Sequence, residues 1–216
     1  VAKNSSNPQF SVEEIKAIAS TAKDYGYHVA AHAHGDEGMK RAILGGIKTI
    51  EHGTLMSEET MEMMKENEVY LVPTIVAGKY VSKMAKVEDY YPEVVRPKAL
   101  AIGPKIQGTF SKAYEKGVPI AFGTDAGVFP HGQNADEFQY MTEAGMPLFE
   151  ALQSATITNA KILNQEDKLG QLTKGFYADV VAVKGKLNQK SASTLQSVEF
   201  VMKNGKVYKQ PENTKK

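Results

Sequence analysis

Three of the chain's five histidines, His28, His32 and His34, fall within the short stretch HVAAHAHG. A fourth, His52, lies in IEHG, and Asp125 sits between two glycines in FGTDAG. Imidazole and carboxylate together suit a divalent cation such as Zn²⁺, so several of them brought to one point make a metal centre. The alanines and valine among the first three histidines make a poor solvated surface, and a strand that ends in imidazoles fits them better than a charged tail does. Strand side chains alternate, which puts His28, Ala30, His32 and His34 on one face. His52 follows His32 by one strand-and-helix unit, which places it at the matching end of the neighbouring strand, about 5 Å away. Two imidazoles there converge on one ion. Asp125 emerges directly after a later strand, where Gly123 and Gly127 let backbone and ligand approach closely.

Taken singly, each histidine also reads as a packed, hydrogen-bonded core residue. Taken together at successive strand ends, His32, His52 and Asp125 read as a metal site. His28, deeper on its strand, is read as structural. His34 divides between facing a substrate and supporting or packing behind the site. His131, in the loop VFPHGQN, divides in the same way between facing a substrate and simple exposure.

The elements that must position these groups follow a regular alternation. SVEEIKAIASTAKDYG opens with Ser11 and Glu14 three places on, a capping box, and carries apolar residues at helical spacing up to Gly26. After it YHVAAHA reads as a buried strand, DEGMKRAILGG as a helix, IKTIEH as a strand, SEETMEMMKEN as a helix and VYLVPT as a strand. The stretch from Ile75 to Pro104 is expected to be long and irregular, marked by its prolines. A helix ending at Gly117 leads into the strand VPIAFG, and PLFEALQSATITNAKIL reads as a closing helical run. Repeated strand-helix units imply a parallel sheet covered by helices, either doubly wound or a barrel. From Lys168 the pattern changes to short β segments with glycine turns, including an Asn-Gly hairpin signal in SVEFVMKNGKVYKQ. The expected organisation is therefore an α/β domain over 1–167 and a small β segment over 168–216.

The composition bounds the partners. The 216 residues carry a formal net charge of +1 and no basic stripe, so nucleic acid is not an expected partner and a small molecule is. With no cysteine, disulfides and thiolate ligands are excluded, while no compartment is selected. No apolar run approaches the roughly 20 residues that span a bilayer, so a soluble protein is expected with no membrane partner. The start, VAKNSSNPQF, has neither methionine nor a signal core and looks cut. Nothing in the sequence decides between a monomer and a homo-oligomer.

HAHG, IEHG, GTDAG and the closing LGQLTKGFYADVVAV, in this order and spacing, resemble the metal-dependent amidohydrolase superfamily. The nearest branch contains imidazolonepropionase-like proteins, Xaa-Pro dipeptidases and related carboxypeptidases. The resemblance implies a (β/α)₈ barrel of TIM type with a small β-sandwich built from both ends of the chain. It makes His32 and His52 the ligands on strands five and six, and Asp125 the strand-eight aspartate that binds metal and acts as general base. The family's strand-one His-x-His pair and strand-four lysine have no counterpart here, so the chain is expected to be the carboxyl-terminal half of an enzyme, inactive alone. Xaa-Pro dipeptidases tend to carry a tyrosine where this sequence has His34.

The function these readings imply is hydrolysis of an amide or peptide bond in a small substrate, a dipeptide or an N-acyl amino acid, by water activated at one or two divalent metal ions of zinc type. Asp125 would take the proton, and His34 and His131 would orient the substrate. The alternatives are an imidazolonepropionase-like cyclic amidohydrolase and a non-catalytic fragment whose histidines are structural.

Overall fold

The computed structural model describes residues 7–188 and 192–211. They form an α/β chain that divides into two compact units, 1–131 and 132–216.

The first unit begins with helix α1 (Val12–Asp24), whose start is the expected capping box: the Ser11 hydroxyl accepts from the Glu14 amide, and Glu14 accepts from the Ser11 amide at 2.7 Å. Strand β1 (Ala30–Ala33), helix α2 (Asp36–Leu44), strand β2 (Thr49–His52), helix α3 (Glu58–Glu66) and strand β3 (Tyr70–Val72) follow in strict alternation. The three strands pair in parallel in the order β1-β2-β3, with His32 opposite Glu51 and Ala33 opposite His52. The expected fourth strand is present as a single parallel bridge between Leu71 and Ile120, flanked by the Leu71 amide on Pro119 and the Ala121 amide on Leu71.

Apolar side chains of the helices and strands make the core of this unit. Met39, Ile43, Ile50, Met61, Met64 and Leu71 are each no more than 3% exposed. Asp36 ties the first turn of α2 to that of α3. It accepts from the Ser57 amide and the Thr60 hydroxyl, both at 2.7 Å. Burial alone would raise the Asp36 pKa, but these bonds, with Lys40 alongside, hold it below the ordinary carboxylate value.

Two sequence expectations are corrected in this unit. The stretch from Ile75 to Pro104 is largely helical, with α4 (Ile75–Met84) and α5 (Arg96–Ile102). Its prolines mark helix boundaries: Pro97 stands in the first turn of α5, where the missing amide costs nothing, and Pro92 and Pro104 lie outside the helices. Helix α6 (Ile106–Glu115) then ends as expected before Gly117. The strand expected from Tyr27 begins only at Ala30, so His28 precedes it and is exposed rather than structural. Pairing here starts where Val29 accepts from the Lys48 amide.

The second unit holds α7 (Asp136–Glu143), for which the sequence carries no expectation, and α8 (Leu148–Gln153). A π-helical turn (Ser154–Thr158) joins α8 to α9 (Asn159–Ile162). Met141, Leu148, Ala151 and Ala160 are buried in it. Strands β4 (Val180–Val183), β5 (Val198–Lys203) and β6 (Lys206–Lys209) form an antiparallel sheet in that order. The Asn-Gly signal is the β5–β6 turn, with both Asn204 (φ 49°) and Gly205 (φ 77°) left-handed as a tight hairpin requires. Among the described residues no helix is long and apolar enough to cross a membrane.

Candidate metal centre

The parallel register brings the carboxyl ends of β1 and β2 side by side and, with them, three imidazoles. His32 lies on β1 and is exposed; His34, just past its end, and His52, the last residue of β2, are partly buried. His52 Nε2 stands 2.8 Å from His32 Nδ1. The His34 and His52 rings stack at 4.9 Å and 18°, while His32 meets each nearly edge-on. One ring nitrogen from each of the three lies within 4.8 Å of the others.

Buried hydroxyls hold the far side of two rings. Thr54 Oγ1 is 2.8 Å from His34 Nδ1, and Thr74 Oγ1 is 2.6 Å from His52 Nδ1. Thr54 is itself fixed through its carbonyl, which accepts from Thr109 Oγ1 at 2.7 Å. The nitrogens left to face the centre are His52 Nε2, His34 Nε2 and His32 Nδ1.

Burial, and then the charge His32 would carry, lower the His34 pKa to about 4. Burial, with His32 and His34 beside it, lowers that of His52 to about 3. Both rings are therefore neutral at pH 7, as metal ligation demands. Nitrogens bound to one tetrahedral zinc ion are about 3.3 Å apart. The His32–His52 pair is within about half an ångström of that spacing, so the donor set fits a divalent cation.

Asp125 lies on the loop after the bridged strand, exposed and left-handed at φ 55°. It is not one of the residues of the three-histidine cluster. It is close enough to act on Glu51, whose pKa is raised by burial and then by the Asp125 charge, against a hydrogen bond from Thr49. The glycines flanking Asp125 have separate reasons. A Cβ on Gly123 would stand 2.5 Å from Val72 Cγ1, and Gly127 has φ 119°. His131 is exposed in the same loop and is not among the clustered imidazoles.

Glu51, Thr54 and Thr74 were missed in the sequence, though a signal for the threonines exists. His34 and Thr54 are 20 residues apart, as are His32 and His52, while His52 and Thr74 are 22 apart. Steps of 20 residues along the chain thus lead from His34 to Thr54 and from Thr54 to Thr74.

The Amidohydrolase family model matches residues 1–209, and the chain belongs to that family. It is 33% identical over 207 residues to ochratoxinase of Aspergillus niger, covering 94% of this chain and 42% of that protein. It is 29% identical over 211 residues to a probable imidazolonepropionase of Nematostella vectensis, covering 92% of this chain and 43% of that one. Among solved structures, a Xaa-Pro dipeptidase crystallised with methionine in its active site superposes with a TM-score of 0.93 at 55% identity, over 96% of this chain and 51% of the other. The chain spans about half the length of the relatives it matches.

Proposed function

We propose that the protein is a metal-dependent amide or peptide hydrolase whose cation is held by His32, His52 and Asp125. The observation that carries the proposal is the convergence of three imidazoles at adjacent strand ends, with His52 Nε2 and His32 Nδ1 turned toward one another. A divalent cation bound there would supply positive charge that acidifies water and polarises a carbonyl oxygen. Asp125 takes the proton from the attacking water and passes it to the departing amine. His34 orients the substrate: Thr54 Oγ1, 2.8 Å from Nδ1, holds the ring, and in the tautomer that carries its proton on Nε2 the ring donates to a substrate carbonyl or carboxylate. His131 is assigned to the same task from the loop beyond Asp125.

The barrel and its domain limits, residues 1–167 with a β-sandwich segment over 168–216, belong to the same proposal, as does a longer active enzyme. Among the described residues β1 pairs only with β2, and a cleft of about 400 Å³ runs along it from Phe10 and Ile18 to His32 and His34. The further strands and metal ligands of an intact barrel would stand on that side.

The proposed substrates are dipeptides or N-acyl amino acids. The 55% identical Xaa-Pro dipeptidase structure, with methionine in its active site, supports a substrate that ends in a free carboxylate. A second reading, opening of a cyclic amide, is favoured by the likeness to a probable imidazolonepropionase. Turnover by the full-length protein of a dipeptide and N-acyl amino acid panel beside cyclic amides decides between them. Activity confined to the cyclic compounds overturns the peptidase reading, and no turnover of either class by the metal-loaded protein overturns the hydrolase reading.

A further inference from the structure

Thr74 is the backbone anomaly of the rim. It has φ 49° and ψ 45°, a left-handed conformation that a β-branched residue rarely adopts and that glycine or asparagine would take at less cost. It also occupies the N-cap of α4. A threonine there ordinarily has extended backbone and accepts a hydrogen bond from the first turn. Ser57, at the head of α3, shows that ordinary arrangement, with φ −81°, ψ 164° and its side chain accepting from the Thr60 amide. Thr74 makes no such capping bond. Its hydroxyl is instead 2.6 Å from His52 Nδ1, and the residue is 2% exposed. Neither helix initiation nor backbone preference explains a threonine at this point, whereas the contact with His52 does.

We infer that Thr74 is a positioning residue that fixes which nitrogen His52 presents to the cation, an inference that rests on the metal reading above. A ligating nitrogen carries no proton, so with Nε2 turned toward His32 the single proton of the neutral ring must sit on Nδ1. Thr74 Oγ1 is the acceptor for that proton. The hydroxyl thereby selects the Nδ1–H tautomer and holds the ring plane before any ion arrives. His52, itself left-handed at φ 73°, relies on this contact because its own backbone leaves the unhindered strand conformation at that residue. Thr54 also meets a ring nitrogen, His34 Nδ1, but without a left-handed backbone, so the left-handed conformation is particular to the His52 partner.

The test uses the full-length protein with Co²⁺ as the probe, read by its visible absorption and by titration. Thr74→Val keeps the shape and removes the hydroxyl; it should weaken cobalt binding by about 10- to 100-fold. Thr74→Ser should stay within about threefold of the parent. Thr74→Gly relieves the backbone and also lacks the hydroxyl, so it should fold at least as stably as the parent and yet lose affinity like the valine variant. Long-range ¹⁵N–¹H spectra of the metal-free, ¹⁵N-histidine-labelled protein should show His52 protonated at Nδ1 in the parent and redistributed toward Nε2–H in Thr74→Val. Parental cobalt affinity in both the valine and glycine variants overturns the inference, and so does a serine variant as weak as the valine one. A parent that takes up no cobalt overturns the metal reading and this inference with it.

Discussion

Replacing Gly53 with alanine tests whether the β2 exit is as tightly specified as its geometry implies. The residue has φ 60°, and a Cβ there would stand 2.7 Å from Leu71 Cδ1 and 2.9 Å from Met56 Cε. Left-handed backbone costs an alanine about 1 kcal/mol. Met56 ends in a flexible thioether and can swing aside, but Leu71 is 1% exposed on β3 and has little room, so overpacking adds about 1–3 kcal/mol. The expected loss is about 2–4 kcal/mol of the roughly 5–15 that hold a domain together. The Gly53 amide donates to the Ala33 carbonyl at 3.1 Å, so a shift here also reaches β1 beside His32 and His34. Gly26→Ala is the matched control: φ is 75° with nothing within 4 Å of the new Cβ, leaving only the backbone cost. Urea unfolding of the full-length protein and both variants measures the difference. A Gly53→Ala loss no larger than that of Gly26→Ala would refute the packing argument.

Two further outcomes follow from the helix geometry and the burial of the histidines. Gly108 lies inside α6 with an ordinary φ and open space around it, so Gly108→Ala should stabilise by about 0.5–1 kcal/mol in the same assay; destabilisation would mean the helix is packed there by something not seen. The metal-free protein should lose stability as pH falls from about 6.5, the unfolded histidine value, toward the folded values of about 4 for His34 and about 3 for His52, because between these limits the unfolded chain binds more protons. A double His34→Gln, His52→Gln variant should show a shallower slope over that window, and an unchanged slope would contradict the assigned burial.

Much of the rim was legible in the sequence because strand-and-helix alternation and parallel register are set by local patterns. The capping box at Ser11 and Glu14, the alternation from β1 to β3 and the turn at Asn204-Gly205 all follow from residue types a few positions apart. His28 was misplaced because the alternating pattern runs on past the point where a paired strand begins, and pairing depends on the neighbouring Lys48 rather than on His28 itself. The helices within 75–104 were hidden by prolines that end helices as readily as they interrupt them. Thr54 and Thr74 escaped notice because a threonine after a strand is unremarkable in composition; what marks Thr74 is its φ, which no sequence pattern displays. Asp125 was found as a residue type flanked by glycines, but its distance from the imidazoles depends on how the loop is folded.

The central claim is that His32 and His52 hold a divalent cation. The direct measurement is the metal content of the purified full-length protein after zinc loading and exhaustive dialysis, for the parent and for His32→Ala, His52→Ala and His28→Ala. The account predicts at least one tightly held ion per chain in the parent, its loss in His32→Ala and His52→Ala, and its retention in His28→Ala, whose side chain is exposed ahead of β1. A parent without stoichiometric metal, or a His52→Ala variant that keeps the full complement, would contradict it.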